Sequence, residues 1–141
     1  MSQYKNLDWQ NPGLSDVGSY QVSAIPYVTG GISVANTSVL TINFPSVTSW
    51  IYVAHDSNQD LRVGFSANGV NDGYFLMVHG DASKAFAPPI FPVKCSSIYL
   101  RGDSNTVAGV TVFAGLTNIP TTELANSGPN GANWSGSAGI G

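Results

Sequence analysis

The stretch "SWIYVAHDSNQDLRVGF", residues 49–65, places two apolar runs on either side of the polar hexapeptide HDSNQD. In the second run Leu61, Val63 and Phe65 alternate with Arg62, which is the period of two expected of a half-buried β-strand. The first run has apolar side chains on both faces, which indicates a strand that is central in its sheet or covered by a second layer or a neighbouring subunit. The polar hexapeptide between them is typical of a loop. The stretch therefore predicts two β-strands and their connection.

The rest of the chain repeats this pattern of short strands separated by turns, and no window shows a helical period of 3.6. Asn-Gly and Asp-Gly pairs mark a turn at 67–73, and three prolines in 86–92 exclude a helix or a central strand there. We therefore expect an all-β fold, a single antiparallel jelly-roll-like β-sandwich over 18–124, with extended arms at 1–17 and 125–141. Further strands are predicted at 20–25, 32–36, 40–44, 74–78, 97–100 and 107–115, of which 74–78 and 107–115 are also apolar on both faces.

Charge is scarce in this chain. Only 9% of its 141 residues are charged, against about 25% in an average soluble domain. Exposed helices usually carry Glu and Lys, so the single glutamate, Glu123, argues against them and suggests that much of the surface contacts something other than water. The net charge of −3 and the lack of a Lys/Arg cluster argue against a nucleic-acid partner.

No apolar run approaches the roughly 18 residues of a membrane-spanning helix. The sequence therefore predicts no membrane partner. The N-terminal residues lack the apolar core of a signal peptide. These features predict a protein made in a cytosol and kept or assembled there. The one cysteine, Cys95, cannot form an internal disulfide. Its position beside a predicted strand, with no basic cluster adjoining it, predicts a small buried residue rather than a catalytic thiol.

The candidate catalytic residues are His55 and His79, each next to a predicted loop. His55 and Asp56 are adjacent on an extended chain and so point to opposite faces, which makes them a poor catalytic pair. No Gly-x-Ser-x-Gly elbow stands between a strand and a helix. The residues therefore predict a protein that is not an enzyme and has no cofactor.

A partial calcium-loop pattern begins at Asp56 and continues with Asn58 and Asp60. The pattern then fails, because Leu61 stands where the loop needs glycine and Ala67 where it needs glutamate. A polar hairpin loop explains these residues equally well, and the sequence leaves weak calcium binding open.

The tetrapeptide Arg101-Gly102-Asp103-Ser104 spells the signal that integrin receptors recognise in adhesion proteins. It falls between the predicted strands 97–100 and 107–115. Gly, Asp, Ser and Asn at 102–105 are the residues that a four-residue hairpin loop requires. The sequence therefore favours a structural turn over an integrin ligand.

Large apolar residues also occur outside the predicted strands, in the proline-rich segment and in both arms. The arm 125–141 has no charge and five glycines, yet it keeps a tryptophan, which suggests an anchor on a neighbour rather than a solubilising tail. In the proline-rich segment the apolar side chains either pack under the sandwich or form an interface. The predicted interface residues are Trp9, Phe86, Ile90, Phe91, Trp134 and Ile140.

Two longer phrases carry a resemblance to a known group of proteins: "NPGLSDVGSYQVSAIPYVTGG" and the series "FPSVTSWIYVAHDSNQDLRVGFSANG", "YFLMVHG", "FPVKCSSIYLRG" and "VAGVTVFAGLTNIP". Together they cover about residues 12–124. The phrases resemble small jelly-roll-like virion proteins of marine tailed phages and some algal viruses, namely capsid decoration or cement proteins and minor capsid proteins. No individual site residue carries over, because such proteins act through extended surfaces.

The resemblance implies a non-enzymatic virion structural protein that binds an icosahedral shell through apolar arms and loops and stabilises it. The implied partners are the major capsid protein and sister subunits, in a homo-oligomer for which a trimer is favoured and a pentamer left open. The implied location is the capsid surface, after assembly in the host cytoplasm.

Two other functions stay open. One is a receptor- or carbohydrate-binding head of a viral fibre or spike, in which Trp50, Tyr52 and Tyr99 would offer stacking faces for sugars. The other is a small β-sandwich hydrolase, which would need His55 or His79 in a pocket with a nucleophile.

Overall fold

Two antiparallel β-sheets form the framework of the described part of the chain. The computed structural model describes residues 24–80 and 90–124, and the backbone of the two-residue strands at 127–128 and 131–132. One sheet has the order β1 (Ile25–Val34), β7 (Val107–Leu116), β3 (Thr48–Ala54). The other has the order β2 (Leu40–Asn43), β6 (Ser97–Gly102), β4 (Leu61–Gly64), β5 (Leu76–Val78). The predicted all-β class is confirmed. The remaining elements are helix α1 (Ala67–Asp72), a 3₁₀ helix at Thr121–Leu124, and the strands β8 (Ser127–Gly128) and β9 (Gly131–Ala132).

The core lies between the two sheets, where alternate residues of each strand point inward. Ile51 and Val112 come from the three-stranded sheet, Leu61 and Leu100 from the four-stranded sheet, and all four are fully buried in one cluster. Burying a side chain of this size contributes about 1.5–3 kcal/mol relative to leaving it in water. The alternation predicted for 61–65 and 97–100 supplies two of them, Leu61 and Leu100.

Strands β1 and β7 pair along their whole length through two compensating bulges. Between the pairs Thr29–Val112 and Ile32–Val110, β1 advances three residues while β7 advances two. Before the pair formed by Val34, the extra residue lies in β7 instead, so the original register returns. Each bulge contains a glycine at φ 66°, Gly31 in β1 and Gly109 in β7, as expected of bulges that need a left-handed residue.

The N-terminal strand differs from the prediction. Instead of separate strands at 20–25 and 32–36, the chain forms the single strand β1, Ile25–Val34, while 20–23 lie outside the described residues. Proline and glycine are unfavourable in strands, so Pro26 and the Gly30–Gly31 bulge keep the sequence from predicting β1. Both are tolerated because β1 is an edge strand.

The strands that are apolar on both faces are not all central. β7 is the middle strand of its sheet, whereas β3 and β5 are edge strands. The free edge of β3 is bridged at one point, where Ile51 and Phe91 exchange backbone hydrogen bonds of 2.9 and 2.8 Å. A central position in the sheet therefore does not explain the outward-facing apolar residues of β3.

The predicted turn at 67–73 is wrong in form, because Ala67–Asp72 is a short α-helix. Ser66 caps its N-terminus, with its hydroxyl oxygen accepting from the Gly69 amide at 2.9 Å, and Gly73 ends it at φ 99°. A helix of six residues is too short to display an apolar period. Only Gly69 and Val70 of it are buried.

The strands of the sandwich begin and end at two opposite ends, which we call the loop pole and the chain-end pole. At the loop pole, β6 ends and β4 begins, since Leu61 pairs with Gly102. This pole carries the connections 55–60 and 103–106. At the chain-end pole, β7 ends and β3 begins, because Thr48 pairs with Leu116, and the Thr48 amide bonds to the Cys95 carbonyl just before β6 starts. β4 also ends at the chain-end pole.

Candidate functional site

The outer surface of the three-stranded sheet is apolar and uncharged. Its three strands contain no charged residue at any position. In β7 the buried Val112 and Ala114 flank the outward-facing Phe113, which lies between Val28 of β1 and Tyr52 of β3. Val28 is 63% exposed. A sheet face that contacts water normally carries polar side chains, so this surface has the composition of one that is covered. The charge-free face is formed by Pro26, Val28, Trp50, Tyr52 and Phe113.

Trp50 packs flat on the charge-free face, against Phe113 and over Gly115. Its ring meets the Phe113 ring edge-on, with centroids 4.8 Å apart and an interplanar angle of 81°. Trp50 pairs with Gly115, and a Cβ added to Gly115 would overlap the indole ring. The glycine therefore lets the indole lie against the sheet, which leaves a low aromatic ridge of Trp50 and Phe113 beside Val28.

The chain itself covers part of the outer surface of the four-stranded sheet. Helix α1 packs across β4, where a Cβ on Gly64 would come within 2.5 Å of a Val70 methyl. Arg62 donates from Nη1 to the Val70 carbonyl at 3.2 Å, and Arg101 donates from Nη1 to Asn71 Oδ1 at 2.8 Å. The two arginines thus hold the helix on this sheet. No described element covers the charge-free face in the same way.

The Arg-Gly-Asp sequence forms the end of β6 and the loop into β7, where the sequence predicts a loop. The predicted hairpin is wrong, because β6 and β7 belong to different sheets and the loop crosses from one sheet to the other. Arg101 donates from Nε to the Asn36 carbonyl at 2.8 Å. Asp103 accepts from Nε and Nη2 of Arg62, both at 2.7 Å, and the Gly102 amide donates to the Ala35 carbonyl at 3.0 Å. All three residues therefore have structural contacts within the fold, which favours a structural turn over a receptor ligand.

Replacing Asp103 with alanine should lower the free energy of unfolding by about 1–2 kcal/mol, because Arg62 Nε and Nη2 then lose their shared acceptor, Asp103 Oδ1, in a half-buried site. The side chains of Arg62 and Asp103 are 19% and 28% exposed, so solvent screening keeps the effect below that of a fully buried pair. Urea unfolding measures it. Asp72→Ala removes an exposed carboxylate from α1 and is the matched control. Equal effects of the two changes would contradict the structural role of Asp103.

The two histidines lie at the loop pole and make separate contacts. His55 donates from Nε2 to the Val78 carbonyl at 3.1 Å. His79 Nδ1 lies 3.4 Å from Asp60 Oδ2, and Asp60 Oδ1 accepts from the Gly80 amide at 3.0 Å. Both histidines thus tie the loop 55–60 and the end of β5 together.

The side chains of the partial calcium pattern face different partners. The Asp56 carboxylate lies against Gly109, Asn58 Oδ1 accepts from the Gln59 amide group at 2.9 Å, and Asp60 bonds to Gly80. Within the described residues, no group of three or more His, Cys, Asp or Glu side chains is placed to hold a metal ion. The three residues belong to a polar loop, but the hairpin that the sequence offers is wrong, because β3 and β4 lie in different sheets.

Cys95 is buried, as the sequence predicts, just before β6 and beside Thr48 at the start of β3. Its sulfur lies 3.3 Å from Thr48 Oγ1, which in turn accepts from the Cys95 amide at 3.0 Å. Burial raises the pKa of the Cys95 thiol to about 11, although the hydrogen bond from Thr48 acts in the opposite direction. The thiol is therefore protonated at neutral pH and is a poor nucleophile.

An apolar cleft of about 320 Å³ opens where β4 ends and β5 begins. The Gly73 cap of α1 turns the chain here, and the Tyr74 amide bonds back to the Gly69 carbonyl at 2.8 Å. Tyr74 and Leu76 at the cleft are 59% and 46% exposed. None of the residues lining it is charged, and neither histidine is near it in the fold. The aromatic cleft is lined by Val63, Phe65, Gly73, Tyr74, Phe75 and Leu76.

The predicted interface residues are only partly within the described chain. Ile90 is 60% exposed, whereas Phe91 is half-buried and packs against the core beside β3. Trp9, Phe86, Trp134 and Ile140 lie outside the described residues. Of the aromatic residues considered for sugar stacking, Trp50 and Tyr52 share the charge-free face, while Tyr99 lies in β6 of the other sheet. Neither the charge-free face nor the cleft stood out in the sequence as a site.

Comparison with protein-family models, with curated proteins and with solved structures found no match to this chain. In the part of the chain that the structure describes, no helix is long and apolar enough to cross a membrane.

Proposed function

We propose that this protein is a non-enzymatic structural component of a virion, a decoration or minor capsid protein that binds an icosahedral shell and stabilises it. The resemblance of its strand phrases to such proteins supports the virion setting. The structural observation that carries the proposal is the charge-free face. Exposed apolar surface of this kind marks an interaction site in soluble proteins, and the same sheet contains no polar cluster suited to chemistry.

A jelly-roll topology is part of this proposal, and the strand orders support it. A jelly roll has two four-stranded sheets, with the eighth strand beside the third and the connections passing from sheet to sheet. The orders β1-β7-β3 and β2-β6-β4-β5 fit this scheme with one strand missing. Phe91 occupies the missing place, because it bridges to Ile51 on the free edge of β3. Jelly rolls are common in viral capsids and in lectins.

The mechanism is binding that favours the assembled shell. A ligand that binds the assembled state alone stabilises that state by mass action. Each square ångström of apolar surface removed from water contributes about 25 cal/mol, so burial of Val28, Phe113 and the Trp50 ring would supply a few kcal/mol per copy. Repetition over a shell multiplies that contribution. Trimers at local three-fold positions suit this role.

The receptor- or carbohydrate-binding head is the second candidate, supported by the adjacent Trp50 and Tyr52 rings. Sugar-binding sites place Asp or Asn beside a stacking ring, since the hydroxyl groups need polar partners. The strands β1, β3 and β7 contain neither residue type. The composition of the face therefore favours contact with a protein surface.

Electron cryomicroscopy of the native particle tests the function directly. We expect the sandwich at symmetric sites on the shell, with Val28 and Phe113 toward the capsid. The double variant Val28→Thr/Phe113→Thr should fold but occupy at least about 10-fold fewer sites at a limiting concentration, equivalent to about 1.4 kcal/mol. Thr41→Ser, an exposed change in β2, is the control. Density only at the tip of a fibre would support the receptor-binding alternative instead.

A further inference from the structure

We infer that the aromatic cleft is the acceptor site for the C-terminal segment 133–141 of a neighbouring copy, with Trp134 as the side chain that fills it. This inference rests on the proposed homo-oligomeric function and names the contact that would close the oligomer.

The cleft is suited to one large apolar side chain. Its volume of about 320 Å³ is at the low end of the range for ligand sites, and the lining residues Phe65, Tyr74 and Phe75 present aromatic rings. Aromatic pairs in offset or edge-to-face contact add about 0.5–1.5 kcal/mol beyond the area that they bury. A charged occupant would find no partner in the lining, so the site selects an uncharged ring.

The wall of the cleft is held in place before anything binds. Gly73 and Tyr74 are fixed by hydrogen bonds to the Gly69 carbonyl. Phe75 is held from behind by the Arg62 guanidinium, which lies 4.4 Å from the ring centroid. Such preorganisation reduces the entropy lost on binding. The exposed Tyr74 and Leu76 nevertheless leave apolar surface in water, which an occupant would cover.

The chain leaves the sandwich at the same pole. β7 ends at Leu116 beside the start of β3, and β4 ends at that pole next to the cleft. The chain then passes through Thr121–Leu124 to the hairpin of β8 and β9. Nine residues follow Ala132, none of them charged, and they include one tryptophan and one isoleucine. Their composition complements a cleft that has no charged lining.

A segment of one copy placed in the cleft of the next is a head-to-tail contact. Contacts of this kind generate a closed ring when the rotation between copies closes, which agrees with the trimer favoured by the proposed function. In such a ring each copy gives one segment and accepts one. No cleft is left empty and no segment is left exposed.

Disulfide trapping in the full chain tests the assignment. Asp72→Cys places a thiol beside the cleft, Ser135→Cys places one beside Trp134, and the buried Cys95 stays out of the reaction. We expect the double variant to form interchain cross-links under mild oxidation. Thr41→Cys combined with Ser135→Cys is the control and should not cross-link. Adding Trp134→Ala should abolish the link, whereas Trp134→Phe should retain it.

Sedimentation of the chain without added cysteines supplies an independent readout. Trp134→Ala and Leu76→Glu should each weaken self-association at least about 10-fold, while Thr41→Glu leaves it unchanged. A cross-link within a single chain would overturn the assignment to a neighbouring copy, and equal cross-linking of the control would overturn the cleft as the site. Particle binding without interchain cross-linking would refute this inference and leave the proposed function standing.

Discussion

Replacement of Gly102 by alanine is expected to lower the free energy of unfolding by about 2–3 kcal/mol, in the range of an overpacked site. Gly102 is buried at the end of β6, and its amide donates to the Ala35 carbonyl. An added Cβ would overlap the carbonyl oxygen of Asn105 and come within 3.4 Å of the Asn36 Cα. Both are backbone atoms that cannot rotate away, so the loop itself would have to move.

Gly31→Ala is the matched control for this change. Gly31 has φ 66°, yet nothing lies within 4 Å of the Cβ that it would gain. Gly31→Ala therefore lowers the free energy of unfolding only through the strain of a left-handed backbone conformation, by about 1–2 kcal/mol. Thermal unfolding should show a decrease of roughly 6–12 °C in Tm for Gly102→Ala and a smaller one for Gly31→Ala. If Gly102→Ala is no worse than the control, close packing does not explain this glycine.

The outcome also bears on the Arg-Gly-Asp sequence. Each of its residues then has a reason that concerns folding: Arg101 bonds to Asn36 and Asn71, Gly102 admits the Asn105 carbonyl, and Asp103 pairs with Arg62. A receptor ligand needs its arginine and aspartate side chains available to the partner. The geometry thus supports a structural role for 102–105, in a loop that crosses between the two sheets rather than in the hairpin that the sequence favours.

The fold class could be predicted from local patterns because the strands alternate. Leu61 and Val63, or Ile98 and Leu100, repeat at intervals of two, and the structure buries all four. The β1 strand was hidden because its Pro26 and Gly30–Gly31 bulge contradict strand propensity. Pairing with β7 overrides that propensity, and a bulge in each strand restores the register. Such a compensation depends on a partner some 80 residues away and leaves no local signal.

The short helix α1 shows a second limit of local patterns. Asn68-Gly69 and Asp72-Gly73 are strong turn signals, yet only Gly73 has a positive φ, at the end of the helix. Ser66 as N-cap was a visible signal for a helix start. What commits the segment to a helix is its contact with Gly64 and the bonds from Arg62 and Arg101, which become apparent only in the folded sheet.

The locations of the charge-free face and the aromatic cleft, like helix α1, could not be predicted from local patterns. The scarcity of charge predicted a covered surface but could not locate it, because the location depends on which sheet face is left uncovered. Trp50, Tyr52 and Phe113 come together only through the pairing of β3 with β7. The cleft likewise depends on the turn after α1. Strand patterns give the residues of one face, while the packing of the remaining elements decides which face stays exposed.

Stability at high pH is expected to depend on Cys95, because burial raises the pKa of its thiol from 9.0 to about 11. Below pH 9 the thiol is protonated in both the folded and the unfolded state, so its ionisation does not yet lower the free energy of unfolding. Between pH 9 and pH 11 the unfolded chain releases the proton while the folded protein keeps it. The unfolded state gains free energy of ionisation that the folded state does not, so stability falls as the pH rises.

The expected loss is about 2–3 kcal/mol over this range, since each pKa unit corresponds to about 1.4 kcal/mol. Urea unfolding at pH 8, 9, 10 and 11 measures it, with Cys95→Ala as the reference. The reference should be less stable at pH 8, because it leaves a small cavity beside Thr48. Its decline with pH should be shallower by the contribution of the thiol.

The difference between the two proteins isolates Cys95 because every other side chain is the same in both. The free-energy gap between wild type and Cys95→Ala should therefore narrow by about 2–3 kcal/mol from pH 8 to pH 11, and its sign reverses if the cavity costs less than that. The thiol in the folded protein should also react slowly with a thiol reagent at pH 8 and rapidly after unfolding. A constant gap across this pH range, or rapid labelling of the folded protein, would show that Cys95 is accessible to solvent and that the packing of Thr48 against it does not seal the start of β3.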